Sequence, residues 1–281
     1  MRSQNFNSDK PLLYLVATPI GNLSEMSPRA VETLQNADII ACEDTRVTGK
    51  LLSFFNIKKP LVSLREHNEV SEAGKLITRI LAGEKVAYAS DAGYPCISDP
   101  GAKLVQLALQ NGINVSTISG PNAGLNALVA SGLDTSHFYF HGFLNAKESV
   151  ARNELQEMIK RKETIILYEA PHRIMKTLNM LFEILGDRQV CLARELTKQH
   201  EEFIRGLLSE LVELDPTTLK GEMVLIVEGR KDEVKPDLNN EEIYQMVKNF
   251  VGMGMSTKDA IKRVSEITEI SKNQVYKIYH A

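Results

Sequence analysis

The stretch from Val86 to Val105, VAYASDAGYPCISDPGAKLV, decides how this chain is read. Val86 to Ala89 is an apolar run that predicts a buried strand. It stops at Ser90-Asp91-Ala92-Gly93, where a carboxylate and a glycine meet at a strand's C-terminal end. Farther on, Asp99-Pro100 predicts the start of a helix, with Asp at the N-cap and Pro at the first helical position. Strand, polar loop and helix form the repeating unit of an open α/β sheet, whose ligands sit in the crevice outside the carboxyl ends of the strands. The loop is therefore a candidate binding site; the alternative is the ordinary turn chemistry of a βα junction.

Working outward, the same unit recurs. Leu12 to Ala17 predicts a first strand, broken by Thr18-Pro19-Ile20-Gly21-Asn22, and Ser27-Pro28 then caps a helix with Ala30, Val31, Leu34 and Ala37 on one face. Only one glycine stands in that first loop. The glycine-rich fingerprint that lets a backbone approach a pyrophosphate is missing, which argues against a Rossmann dinucleotide site. Ile39 to Cys42 predicts a second strand, followed at once by Glu43-Asp44-Thr45-Arg46. Asp44 or Thr45 serves as the cap of the next helix. Glu43 and Arg46 are either solvated or functional, and four consecutive polar groups exceed what capping needs. Leu61 to Leu64 ends in Arg65-Glu66-His67-Asn68, where His67 is a phosphate or base candidate or simply a surface residue. A helix over Val70 to Leu81 ends at Gly83, and Ile113 to Ile118 ends in Ser119-Gly120-Pro121-Asn122, with Asn122 capping a helix that stops at Gly132. Alternation of this kind predicts a mostly parallel sheet.

The second half has a different texture. Phe138 to Phe143 (FYFHGF) predicts an aromatic strand, and Glu148 to Lys162 an amphipathic helix whose end, Lys160-Arg161-Lys162, complements the helix dipole. Thr164 to Tyr168 predicts a strand that exits into Glu169-Ala170-Pro171-His172-Arg173. Gln189 to Arg194, Glu202 to Arg205 and Met223 to Val227 predict further strands of a mixed sheet. Arg230 to Asn240 reads as a charged linker. Three short helical patterns follow, over Glu242–Val251, Lys258–Ile267 and Lys272–Tyr279. The last two are laid out like a helix-turn-helix, with Lys272, Asn273, Gln274 and Lys277 outward. That layout suits nucleic-acid contact, or else a small helical cap or dimerisation module. The expected organisation is an N-terminal α/β domain over residues 1–120, a second α/β domain over 121–230 and a helical tail over 236–281.

Composition sets the outer limits. With 281 residues and 43% hydrophobic content the chain can bury sizeable cores, and a net charge of −3 is not the footprint of a protein that coats itself in nucleic acid. A local basic face on an acidic chain still admits RNA. Cys42, Cys96 and Cys191 are widely spaced and odd in number, so they predict neither a disulfide framework nor a metal site and fit a reducing compartment. The polar start, MRSQNFNSDKP, lacks the apolar core of a signal peptide, and no run reaches the length of a membrane span. A soluble, cytoplasmic protein is expected.

Six segments then occur in order: LVATPIGNLSEMSPRA, ACEDTRVTGKLL, SDAGYPCISDPGAKLV, SGPNAGLNALVASGL, FHGFL and LYEAPHRI. Together they resemble the ribosomal RNA small subunit methyltransferase I family, a branch of the tetrapyrrole methylase superfamily, over about residues 11 to 229. The linker and helical tail match that family's plan as well. The resemblance implies two α/β domains with S-adenosylmethionine bound between them, a homodimer, and methylation of the ribose 2′-hydroxyl of a cytidine in the decoding region of 16S ribosomal RNA, within the small ribosomal subunit. Carried over by position, it places Pro19, Ser90, Asp91, Ala92, Tyr94, Asn122, Ala123, Glu169 and Met223 at the cofactor. Tyr94 stands where the superfamily's central loop has a small threonine, and Ser119-Gly120-Pro121-Asn122 replaces its usual Pro-Gly-Pro-Ser. For this reaction a ribose hydroxyl must be positioned and lose its proton. Glu43 or Asp44 is the candidate for orienting or deprotonating it, with Asp91 the alternative carboxylate, and Arg46 and Arg173 are candidates for holding flanking phosphates. Two other readings compete: methylation of a tetrapyrrole ring carbon on the same fold, and an RNA-binding or assembly factor that has lost the chemistry.

Overall fold

The computed structural model describes residues 11–65, 67–231, 238–268 and 270–280. The polar N-terminal decapeptide, Glu66 and the core of the charged linker lie outside the described residues. The chain divides into two compact units, one ending at Gly229 and one beginning at Arg230.

The first unit carries two five-stranded sheets. The N-terminal sheet contains β1 (Leu12–Val16), β2 (Ile39–Cys42), β3 (Leu61–Ser63), β4 (Val86–Ala89) and β5 (Asn114–Ile118) in the order β3-β2-β4-β1-β5, all parallel. β2 and β4 are buried along their whole length, which explains why they read as unbroken apolar runs. The intervening helices are α1 (Pro28–Asn36), α2 (Thr45–Phe54), α3 (Glu69–Leu81), α4 (Ala102–Gln110) and α5 (Ala123–Ser131). Their starts follow the sequence: the Ser27 hydroxyl accepts from the Ala30 N–H, Asp44 from Arg46, and Asn122 from Leu125. Asp44, not Thr45, is thus the cap of α2.

One start differs. The helix expected at Asp99-Pro100 begins at Ala102, with Gly101 as its N-cap at φ +119°. Asp99 is turned instead toward Ser90, whose hydroxyl donates to it. The cap is supplied from outside: buried Glu69, on α3, accepts from the N–H groups of Gly101 and Lys103 at 2.9 Å each. A carboxylate at a helix N-terminus is favoured by both the orphan donors and the dipole. Glu69→Ala is therefore expected to lower the unfolding free energy by roughly 1 to 3 kcal/mol, read from the urea midpoint, because the buried Gly101 donor and the part-buried Lys103 donor lose their acceptor. A cost below the scatter of surface substitutions would refute that role.

The second sheet holds β6 (Phe138–Phe143), β7 (Thr164–Glu169), β8 (Gln189–Arg194), β9 (Glu202–Leu207) and β10 (Met223–Val227) in the order β6-β7-β10-β8-β9, with β6 parallel to β7 and the other pairs antiparallel. Its helices are α6 (Glu148–Met158), α7 (Ile174–Leu185) and the short α8 (Leu208–Leu211). Residues 174–185 carry no sequence-based expectation, yet they form a helix that buries Ile174, Leu178, Leu181 and Leu185 against the sheet. α6 ends at Met158, short of Lys162. The Arg161 guanidinium lies 3.6 Å from the centroid of the Tyr139 ring, and the Ile159 carbonyl accepts from Arg188 at 2.7 Å. Arg188, 9% exposed, also donates to the carbonyls of Leu185 and Glu228, so it ties the ends of α6, α7 and β10 together. Arg188 thus adds an internal guanidinium at the C-terminal end of α6 beside the basic run.

The second unit contains α9 (Asn240–Gly252), α10 (Thr257–Thr268) and α11 (Lys272–Tyr279) around a small core of Ile243, Val247, Ala260, Ile261, Val264 and Val275. Lys272, Asn273, Gln274 and Lys277 are exposed along α11. Among the described residues no helix is long and apolar enough to cross a membrane.

Candidate functional site

Parallel strands β1, β4 and β5 deliver three loops to one edge of the first sheet. Their packing explains the residues found there. The Thr18 N–H donates to the Gly93 carbonyl at 2.9 Å and the Gly93 N–H returns a bond to Thr18 at 3.0 Å, while the Thr18 hydroxyl donates to the Ser90 carbonyl at 2.9 Å. The loop after β1 is thereby stapled to the loop after β4. The loop after β5 closes on them through Gly120, where any Cβ would come within 2.9 Å of that of Ala17. The Gly120 N–H donates to the Tyr94 hydroxyl at 3.3 Å. Tyr94, a departure from the superfamily pattern, therefore acts as a strut between two loops.

These loops and the exits of the second sheet enclose a cavity of about 400 Å³, within the range of small-molecule sites. Of the residues the resemblance places at a cofactor, Ala92, Tyr94, Asn122, Ala123, Glu169 and Met223 line it. Pro19, Ser90 and Asp91 do not. Pro19 is buried next to the lining residue Ile20. Ser90 is buried beneath the loop, its hydroxyl accepting from the Ala92 N–H at 3.2 Å. Asp91 accepts from the Asp44 N–H at 3.2 Å, which links the loop after β4 to the loop after β2. Glu169, 2% exposed, spends its carboxylate within the wall: it accepts from the Ala170 N–H at 2.8 Å and from the Thr177 hydroxyl at 2.6 Å, with Arg173 Nε at 3.4 Å.

Glu43, Asp44, Arg46 and Arg173 stand outside the lining. The Asp44 carboxylate caps α2 and binds the Arg46 guanidinium; those hydrogen bonds hold it well below the usual carboxylate range. Arg46 is otherwise exposed, its side chain 82% accessible. Arg173 donates to the carbonyls of Leu144 and Asn145 at 3.0 and 3.1 Å, fixing the chain just beyond β6. Glu43 keeps its carboxylate for other uses, since the bonds from Ser63 and Arg65 go to its carbonyl. Burial and the charges of Asp99 and Asp91 push the Glu43 carboxyl up from its ordinary value, and burial does the same for Asp91 and Asp99. Three carboxyls thus share one field at the strand exits.

Several residues of the site escape sequence reasoning. Asp99 reads as a helix cap but lines the cavity. Ile20, Ser98, Phe143, Tyr168, Leu196 and Glu222 line it too. Phe143 and Tyr168 lie inside quoted motifs, FHGFL and LYEAPHRI, and that aromatic enrichment at strand ends is the available signal. Nothing local marks Leu196 or Glu222.

The profile of the Tetrapyrrole (Corrin/Porphyrin) Methylases family matches residues 12–212. Proteins named ribosomal RNA small subunit methyltransferase I align along nearly the whole chain. The one from Bacillus subtilis is 44% identical and covers 99% of this chain and 98% of its own length. The one from Halalkalibacterium halodurans is 46% identical over the same shares. The chain belongs to the ribosomal RNA small subunit methyltransferase I family. The Vibrio cholerae member, 43% identical, covers 95% of this chain and 93% of its own length. The fold agrees with the family assignment: uroporphyrin-III-C-methyltransferase from Thermus thermophilus superposes with a TM-score of 0.57 at 20% identity, over 78% of this chain and 94% of that one. Diphthine synthase does so with 0.59 at 14% identity, over 77% and 89%.

Proposed function

We propose that this chain transfers a methyl group from S-adenosylmethionine to small-subunit ribosomal RNA, and that the acceptor is the ribose 2′-hydroxyl of a cytidine in the decoding region of 16S RNA. The observation that carries this reading is the 400 Å³ cavity at the exits of parallel strands, in a chain whose full-length relatives are named as small-subunit RNA methyltransferases. The cofactor fits the residues present. The wall is apolar at Ile20, Leu196 and Met223, with a few convergent polar groups. Glu43, Asp91 and Asp99 form an acidic field that favours a positively charged sulfonium nearby. When bound, S-adenosylmethionine supplies an electrophilic methyl group on sulfur.

The protein's own tasks are positioning and proton removal. Ala92, Tyr94, Asn122 and Met223 would hold the donor in a cavity whose loops are already stapled. Such placement of two reactants supplies as much as roughly 7 to 11 kcal/mol. Glu43 is the better base of the pair considered: Asp44 is committed to Arg46 and to its helix, whereas Glu43 has a free carboxylate held above its ordinary value. Arg46, exposed at the rim, is assigned to a flanking phosphate. Arg46→Ala is expected to weaken binding of small ribosomal subunits and to lower the slope of log affinity against log salt by about 1, with methyl-donor affinity unchanged. An unchanged slope would remove that contact. Arg173, bound to two carbonyls, is assigned to shaping the wall in addition to any phosphate contact. The reading retains the homodimer and the cytoplasmic location that the family resemblance implies.

The test is transfer of labelled methyl to small subunits that lack modification, followed by nuclease digestion and mass analysis of the nucleosides. A 2′-O-methylcytidine product is expected. A bound donor with no transfer to the subunit, or transfer to uroporphyrinogen instead, would overturn the acceptor assignment.

A further inference from the structure

Beside the inner cavity lies a second recess of about 570 Å³, lined by Cys96, Ile97, Ser98, Phe140, His141 and Phe143. Ile97, Ser98 and Phe143 border both spaces, so whatever sits in the outer recess touches the rim of the inner one. The recess is shaped by a β-bulge. Phe140 pairs with Ile166, but Gly142 pairs with Leu167 and Phe143 with Tyr168, which leaves His141 as the extra residue. Three residues apart on a regular strand, Phe140 and Phe143 would face opposite sides of the sheet. The bulge brings both to the side of Tyr168, whose ring they meet edge-on at 5.2 and 5.6 Å. Tyr168 is itself anchored, its hydroxyl accepting from the Gly124 N–H at 3.1 Å.

The opposite wall is equally particular. Cys96 and Ser98 both adopt left-handed backbone, at φ +68° and +59°, a conformation that costs non-glycine residues energy and clusters at functional sites. A Cβ on Gly142, itself at φ +81°, would come within 3.2 Å of the Ser98 hydroxyl oxygen, so glycine there favours the close approach of the loop after β4 to the bulge. The result is an aromatic face, Phe143 at 53% exposure, opposite a hydroxyl and beside a histidine. Bulges of this kind re-aim side chains next to active sites, and exposed aromatic faces are the sequence-tolerant platform on which unpaired bases stack.

We propose that the outer recess seats the base of the acceptor nucleotide, one pyrimidine ring stacked on Phe143 with its polar edge toward Ser98, so that its ribose lies at the boundary with the inner cavity. This rests on the functional reading above and adds to it the base subsite. It requires the target nucleotide to be unstacked from its neighbours.

The test uses the full-length protein. Phe143→Leu keeps an apolar side chain and removes the ring face; Phe143→Trp keeps the face. With unmodified small subunits as substrate, F143L is expected to lose about 10- to 100-fold in kcat/KM, the usual effect of removing a stacking ring. F143W should recover most of that loss, and because Phe143 also borders the donor cavity, donor affinity by calorimetry should fall in F143L by far less than kcat/KM does. The inference is overturned if F143L transfers methyl as well as the parent, or if its loss is matched by a loss of donor affinity, since Phe143 would then serve only the inner cavity. If the parent itself transfers no methyl, the functional reading falls, and the recess is judged separately by titrating cytidine 5′-monophosphate into protein with labelled phenylalanine. Shifted Phe143 ring signals, assigned by their absence in F143L, support the base seat; unshifted signals at millimolar nucleotide overturn it.

Discussion

Gly101→Ala is expected to destabilise the fold by about 3 to 5 kcal/mol, the sum of a strained backbone and a core overlap. Gly101 holds φ +119° where the loop after β4 turns into α4. A Cβ there would sit 2.3 Å from Cε1 of Tyr88 and 3.0 Å from Sγ of Cys96. Tyr88 cannot yield: it is fully buried in β4, between β2 and β1, and its hydroxyl donates to the Pro100 carbonyl at 2.6 Å. The Gly101 N–H also holds the carboxylate of Glu69, so displacement of the turn uncaps α4 as well. Urea unfolding followed by circular dichroism measures the loss; a change under about 1 kcal/mol would mean that the turn relaxes freely. Donor affinity should fall in the same variant, because the turn supports Asp99 and the cavity wall.

Glu43→Gln is expected to reduce methyl transfer by about 10²- to 10⁴-fold, the range of a general base, with a far smaller fall in donor affinity from the loss of one charge of the acidic field. The pH dependence has a definite sign. A base works when ionised, and burial with the Asp99 and Asp91 charges holds the Glu43 carboxyl above its ordinary value. Activity should therefore fall on acidification through a midpoint above the roughly 4.3 of a free glutamate, and E43Q should lose that limb. Stability moves in the opposite sense at these groups. Carboxyls raised in the folded state bind protons more tightly there than when unfolded, so Glu43, Asp91 and Asp99 oppose folding at neutral pH and this opposition is relieved as the pH drops through their raised values. A full rate in E43Q would transfer the role to Asp99 or Asp91.

The contrast between Glu43 and Asp44 shows where local reading ends. Both are carboxylates at the exit of β2, and sequence offers no way to choose between them. The structure separates them: one is consumed by a cap and a guanidinium, the other is left in an acidic field. Asp99 makes the same point from the other side. Asp-Pro is a sound local signal for a helix start, yet a carboxylate from α3 outcompetes it as the cap, and Asp99 turns to Ser90 and the cavity.

By itself the sequence determined the strand and helix periods, the parallel sheet, the mixed sheet, the three-helix tail and the family. These follow from short-range physics: apolar runs and amphipathic spacing, caps at Ser27, Asp44 and Asn122, and motifs whose residues are adjacent in the chain. Of the nine residues that the family resemblance carries to a cofactor, Ala92, Tyr94, Asn122, Ala123, Glu169 and Met223 line one cavity, and Pro19, Ser90 and Asp91 lie outside its lining. Only the tertiary structure decided which neighbouring carboxylate stays free, that Arg173 grips two carbonyls, that Leu196 and Glu222 close the wall, and that a bulge turns Phe140 and Phe143 to one face. Each of these depends on partners brought from far along the chain, as Glu69 is to Gly101 and Tyr168 to Phe143, and on a register shift of a single residue, which no local propensity encodes.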